Sequence, residues 1–184
     1  FTRQSTAIGL ILIALTYFKD NKLLFFFVFS FLAILFHKSS IIFIPIVLLA
    51  GLNLNLKYLF LVISIILISL IVIAPELQRI ETGYINKDSI YISKGVIYRI
   101  SINIFSGLIF IIFYKKLKFE KMINLLLLYS FLFNIIMIFF ISDYSTFVDR
   151  IIIYFVFMQI IIFSRLYYIN PQYKILFNFY VVLI

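Results

Sequence analysis

The sequence predicts an all-α fold: a polytopic transmembrane helical bundle of about seven to eight spans, with one longer loop on its outer face. Three observations predict it. Hydrophobic residues make up 65% of the chain and charged residues only 12%, whereas a soluble domain carries about a quarter charged. Apolar runs close to span length recur from end to end, separated by short polar breaks. Mean hydropathy is +1.20, and in hydrocarbon an open chain satisfies its backbone only as helices.

Taken in order, the apolar runs predict spans near 3–18, 22–37, 39–54, 58–75, 95–114, 122–142 and 151–169, with an eighth beginning near 174. Crossing the core takes about 20 residues, so the second and third are short. The break between them, His37-Lys38-Ser39-Ser40, is so brief that a re-entrant hairpin serves equally well. Either choice returns the chain to the side it left. The stretch 76–94 is too polar to span and is expected as an external loop. The chain starts Phe1-Thr2-Arg3 without an initiator Met and ends within the apolar run Val181-Val182-Leu183-Ile184. Residues 1–184 are therefore expected to be one integral membrane domain, a fragment of a longer protein. The abundance of Ile, Phe, Lys, Asn and Tyr points to an AT-rich, bacterial source.

Loop charge sets the expected orientation. The loops at 19–22, 53–57, 115–121 and 165–174 share one side and carry nine cations against two acids. The Lys115-Lys116-Leu117-Lys118 cluster is the strongest local signal. The opposite side carries seven cations against five acids. The positive-inside rule then places the Lys-rich side in the cytoplasm.

Composition also removes several functions. A net charge of +9 on spans and loops is not the basic face of a nucleic-acid-binding fold. Without cysteine, there are no disulfides, thiolate ligands or Cys nucleophiles. With His37 as the single histidine, a multi-His metal site is excluded. No cofactor is expected, and no metal, since the Asp-rich clusters of a Mg²⁺–diphosphate site are missing.

The polar residues at span ends need a reason, because a charge placed centrally in the bilayer costs about 2.5–3.5 kcal/mol. Arg3 and Gln4 open the first span, and His37 and Lys38 close the second. Arg99 lies a turn inside the fifth, and Asp149-Arg150 precede the seventh. All map to the outer face. Bland accounts exist for most of them. Arg3, Lys38 and Arg150 would snorkel to headgroups, Asp149 would cap a helix, and His37 would be a satisfied interfacial histidine. Arg99 is the hardest to dismiss, with no acid near it in sequence. The functional account is a cationic pocket at headgroup depth, since the Arg fork suits phosphate. Tyr91, Tyr98, Tyr144 and Tyr154 near that boundary are either sugar-stacking rings or an aromatic belt.

Three local sequences carry a resemblance. Arg3-Gln4-Ser5-Thr6-Ala7-Ile8 resembles the "RQ-x-x-A" opening of the EpsG-like polysaccharide polymerases. Leu35-Phe36-His37-Lys38-Ser39-Ser40 is similar to that family's "FH-x-S" element, and Asp149-Arg150-Ile151-Ile152-Ile153-Tyr154-Phe155 to its "R-x-x-x-Y" element. They follow the family's order across residues 1–155. The resemblance implies a Wzy-type polymerase of O-antigen, capsule or exopolysaccharide repeats, multi-pass in the bacterial inner (plasma) membrane, with its active face periplasmic or extracellular. Its implied partners are the lipid bilayer, an undecaprenyl-diphosphate-linked oligosaccharide and a chain-length regulator. Arg3, His37 and Arg150 match motif positions, whereas Arg99 lies in none of these three elements. The implied roles are diphosphate and glycan binding by Arg3, Gln4, Lys38, Arg99, Arg150 and Tyr154, with His37 or Asp149 as general base.

Three other functions compete. A flippase or other transporter of the same lipid-linked repeats needs charges through both leaflets, and the inner halves of these spans are nearly free of them. A membrane acyltransferase needs a His–Asp or Ser–His pair at catalytic spacing, which the sequence does not display. A structural subunit predicts no loss of activity when Arg99 is changed.

Overall fold

A computed structural model describes residues 2–51, 64, 93 and 95–169. Every regular element among them is helical. Helix α1 (Thr2–Lys19) is followed by α2 (Leu23–Phe36), a 3₁₀ turn (Lys38–Ile42) and α3 (Phe43–Gly51). After Ser93 come α4 (Gly95–Leu117), α5 (Lys121–Ile138), α6 (Ile141–Ile152), a second 3₁₀ turn (Ile153–Phe155) and α7 (Val156–Ile169). Three helical stretches are long and apolar enough to cross a membrane: Gly95–Leu117, Lys121–Ile138 and Tyr144–Leu166. Leu23–Phe36 and Lys38–Gly51 are shorter apolar helices. The spans expected near 58–75 and from 174, and the loop 76–94, lie outside the described residues apart from Ser64 and Ser93.

The turns follow from local chemistry. Helix α1 ends in a Schellman motif: Asn21 N–H donates to the Phe18 carbonyl at 3.0 Å and Lys22 N–H to the Tyr17 carbonyl at 2.9 Å. That closure needs a left-handed residue, and Asn21 supplies it at φ 58°. The α4–α5 turn places Lys118 at φ 47°. Asn124 secures this turn by donating from Nδ2 to the Phe119 carbonyl at 3.0 Å.

Packing divides the helices into a centre and a rim. Seven of the nine residues of α3 are buried, from Phe43 to Ala50, so this helix lies in the middle of the bundle. Outward residues such as Leu24 and Ile112, each 73% exposed, are apolar side chains that only lipid solvates well. Helices α4 and α5 approach closely at Gly107: a Cβ there would lie 2.0 Å from Phe131 Cδ2 and 2.7 Å from its Cγ. The ring therefore lies directly on the α4 backbone.

The sixth and seventh spans differ from their sequence-based limits. Helix α5 stops at Ile138, and the turn after it is built from apolar residues, Phe139 and Phe140. The next apolar crossing starts at Tyr144, not 151, and bends where Tyr144 leaves helical geometry (φ −132°, ψ 38°). The polar residues Ser145, Thr146, Asp149 and Arg150 interrupt the apolar run yet recur at helical spacing, so they mark one face of a helix and not its end.

Candidate functional site

The site begins with packing between α4 and α6. Val96, Ile100, Val148 and Ile152 form a small buried cluster. Their spacing brings Arg99 of α4 opposite Asp149 of α6. Arg99 Nη1 lies 2.5 Å from Asp149 Oδ1, in an ion pair whose side chains are 33% and 17% exposed. Ser93 completes the arrangement: its Oγ donates to Asp149 Oδ2 at 2.9 Å, and its N–H donates to Ser145 Oγ at 3.2 Å. Both Asp149 oxygens are thereby engaged. Arg99, expected as an unaccompanied cation, has an acid partner fifty residues away in sequence.

A second group forms where the ends of α1 and α2 meet the second 3₁₀ turn. Gln4 Nε2 lies 3.4 Å from His37 Nε2. With the amide as donor, the ring nitrogen accepts, which puts the proton of a neutral imidazole on Nδ1. The His37 ring stands 5.8 Å from the Tyr154 ring, centroid to centroid, at 50°. Tyr154 is 3% exposed, and its hydroxyl has no hydrogen-bond partner among the described residues. It supports His37 from below, so its ring face is not offered to a sugar. Tyr98 and Tyr144 are exposed, and Tyr91 lies outside the described residues.

The remaining cations border these groups. Arg3 is exposed in the first turn of α1, next to Gln4, and Lys38 is exposed directly after His37. Arg150 is half-buried on α6, four residues before Tyr154. Neither Arg3 nor Arg150 forms an ion pair among the described residues.

One polar network carries no charge and was not expected from the sequence. Asn103 Nδ2 donates to Asn134 Oδ1 at 2.9 Å and to the Ile152 carbonyl at 3.0 Å. Asn103 Oδ1 accepts from Gln159 Nε2 at 2.6 Å, and Asn134 Nδ2 donates to the Ser130 carbonyl at 2.8 Å. The network joins α4, α5 and α7. It bonds the α6 carbonyl at which the helix tightens into its 3₁₀ turn, a place where the regular i→i−4 ladder is broken. Above it lies a cleft of about 320 Å³, with Gly95, Tyr98 and Arg99 toward its mouth and Asn103 and Gln159 at its floor. Weighing neutral amides within apolar runs alongside the charged residues would have found all three.

Among the described residues, no group of three or more His, Asp or Glu could hold a metal ion. The arrangement offers a histidine with an accepting nitrogen, two unpaired arginines and a third arginine aimed by a carboxylate. Compared with known proteins, the whole chain, residues 1–184, matches the family model described as the EpsG family. No curated protein matches it, and no solved structure does.

Proposed function

Since the chain belongs to the EpsG family, a membership that goes with membrane proteins of polysaccharide biosynthesis, we propose that it polymerises lipid-linked oligosaccharide repeats. The observation that carries the proposal is convergence at His37. Gln4, His37 and Tyr154, from three segments far apart in sequence, come together at one titratable ring, with Arg3 and Lys38 adjoining the first two in sequence and Arg150 four residues before Tyr154.

In the proposed reaction an acceptor hydroxyl attacks the anomeric carbon of a glycan on undecaprenyl diphosphate. The new glycosidic bond forms as the sugar–phosphate bond breaks, and undecaprenyl diphosphate leaves with the electron pair. His37 takes the hydroxyl proton at Nε2, where the acceptor replaces the long Gln4 contact. Arg3 and Arg150 meet the diphosphate and stabilise the charge that grows on it, with Lys38 beside them. Asp149 has both oxygens engaged, which favours His37 as the base and makes Asp149 the residue that holds Arg99 toward the cleft. The proposed setting is the outer leaflet of the bacterial inner membrane, with a chain-length regulator as the expected partner.

The test is complementation of a deletion strain with the full-length protein. His37→Ala and Arg150→Ala are each expected to abolish long surface polysaccharide while leaving a single repeat attached to its acceptor. Loss of every repeat would identify a flippase instead, and normal ladders from both variants would exclude the proposed site. An acyltransferase would leave chain length intact and change only the glycan's acyl content.

A further inference from the structure

At the opposite end of the bundle from His37, α4 and α5 enclose a second cleft of about 330 Å³, bounded by Phe110, Ile111, Tyr114, Asn124, Leu125 and Leu128. Its walls are apolar and its one amide is incompletely bonded. Asn124 Nδ2 is fixed by the Phe119 carbonyl at 3.0 Å, which settles the amide's orientation. Asn124 Oδ1 is shut off from solvent and accepts no hydrogen bond among the described residues. With no accessible surface that oxygen is out of a ligand's reach, so what the cleft offers an occupant is apolar contact.

Helical spacing ends both walls in lysine. Lys115 is one turn beyond Ile111 on α4, and Lys121 is one turn before Leu125 on α5. Lys118 sits in the turn between them, and all three are exposed. The nearby acid, Glu120, is drawn to Lys19 at 3.2 Å, and Lys116 leans over the Phe113 ring at 5.8 Å. Three cations without an acid partner among the described residues therefore lie beyond one end of an apolar slot. A ligand that complements this has an acyl chain for the slot and an anion for the lysines. A zwitterionic headgroup fails on charge, because its ammonium would face the lysines.

We propose that the α4–α5 cleft is a binding site for an anionic phospholipid such as phosphatidylglycerol. Basic pockets between spans are suited to such headgroups. The site shares no residue with the His37 region, so it stands or falls separately from the polymerase proposal.

Full-length protein in nanodiscs of mixed phosphatidylethanolamine and phosphatidylglycerol, with bound lipid read by native mass spectrometry, tests this. Phosphatidylglycerol is expected to be retained over phosphatidylethanolamine. A lysine near the headgroups changes binding about fivefold, so Lys115→Gln with Lys121→Gln should weaken retention on the order of thirtyfold. Leu128→Trp keeps every lysine and fills the slot, and it should also abolish retention. Wild-type retention by Leu128→Trp would reduce the lysines to a diffuse surface charge and overturn the site. Equal retention of phosphatidylglycerol and phosphatidylethanolamine would overturn it as well.

Discussion

Arg99 and Asp149 illustrate how one charge changes the meaning of another. An unpaired arginine a turn inside a span is a strong reason to expect an anionic ligand. Paired with Asp149, the same arginine is largely neutralised, and the arginines of the candidate site without an ion pair among the described residues are Arg3 and Arg150. Partial exposure moderates what the pair contributes, yet a charge left alone at this depth would still be costly. Arg99→Ala and Asp149→Ala are each expected to lower the thermal unfolding temperature in detergent. Together they should cost less than the sum of the two, with a coupling on the order of 1–2 kcal/mol. Strictly additive losses would show that the contact contributes nothing. Tyr154 makes a different case. Its buried hydroxyl lacks a partner among the described residues, and removing such a group normally relieves a desolvation penalty of about 1–3 kcal/mol. Tyr154→Phe should therefore raise the unfolding temperature, and slowed polymer formation in the same variant would assign the hydroxyl a part in the proposed reaction. Unchanged activity in that variant would leave the hydroxyl as a plain packing defect.

Among the elements, α6 shows where local patterns mislead and where they inform. Ser145, Thr146, Asp149 and Arg150 look like a loop when hydropathy is averaged along the chain. On a helix the same four residues form one polar face, and that face meets Ser93 and Arg99. The starts and ends of α1, α2 and α4 were legible within three residues, because each is bounded by charged or turn-forming residues. The α5–α6 turn was not, since Phe139 and Phe140 carry no turn signal. Likewise, the residues that resemble family motifs could be read one by one, but their meeting could not. Gln4 with His37, and Arg99 with Asp149, are 33 and 50 positions apart, and hydropathy has no such reach. The contact of α4 with α5 depends on Gly107 for a reason equally invisible in sequence: Phe131 occupies the space of its missing side chain. Gly107→Val should cost about 1–3 kcal/mol by overpacking, and Phe131→Leu in the same protein should restore part of it. Equal unfolding temperatures for Gly107→Val and wild type would mean that the two helices separate at no cost.

Across the whole molecule, the contacts sort into two poles. Lys19 meets Glu120 at 3.2 Å, and Arg165 Nε donates to the Leu117 carbonyl at 3.3 Å. These contacts gather the loops at 19–22, 115–121 and 165 at one end. Gln4 with His37, and Ser93 with Asp149, form the other end. Alternating loops thus fall on the sides that charge counting assigned to them, although packing alone does not say which side faces the cytoplasm. The proposed orientation follows loop charge, because translocating the Lys115–Lys121 cluster would be opposed. Single cysteines can be placed freely, as the chain has none of its own. In intact cells, a cysteine at position 88 is expected to react with a membrane-impermeant maleimide. One at position 116 should react only after the membrane is opened. The reverse pattern would invert the whole bundle, moving the His37 site to the cytoplasmic leaflet and away from any polymer assembled outside. Labelling of both positions in intact cells would instead require an even number of crossings between them, which is incompatible with α4 as the single span joining 88 to 116. That outcome would remove the two-pole arrangement on which the site rests.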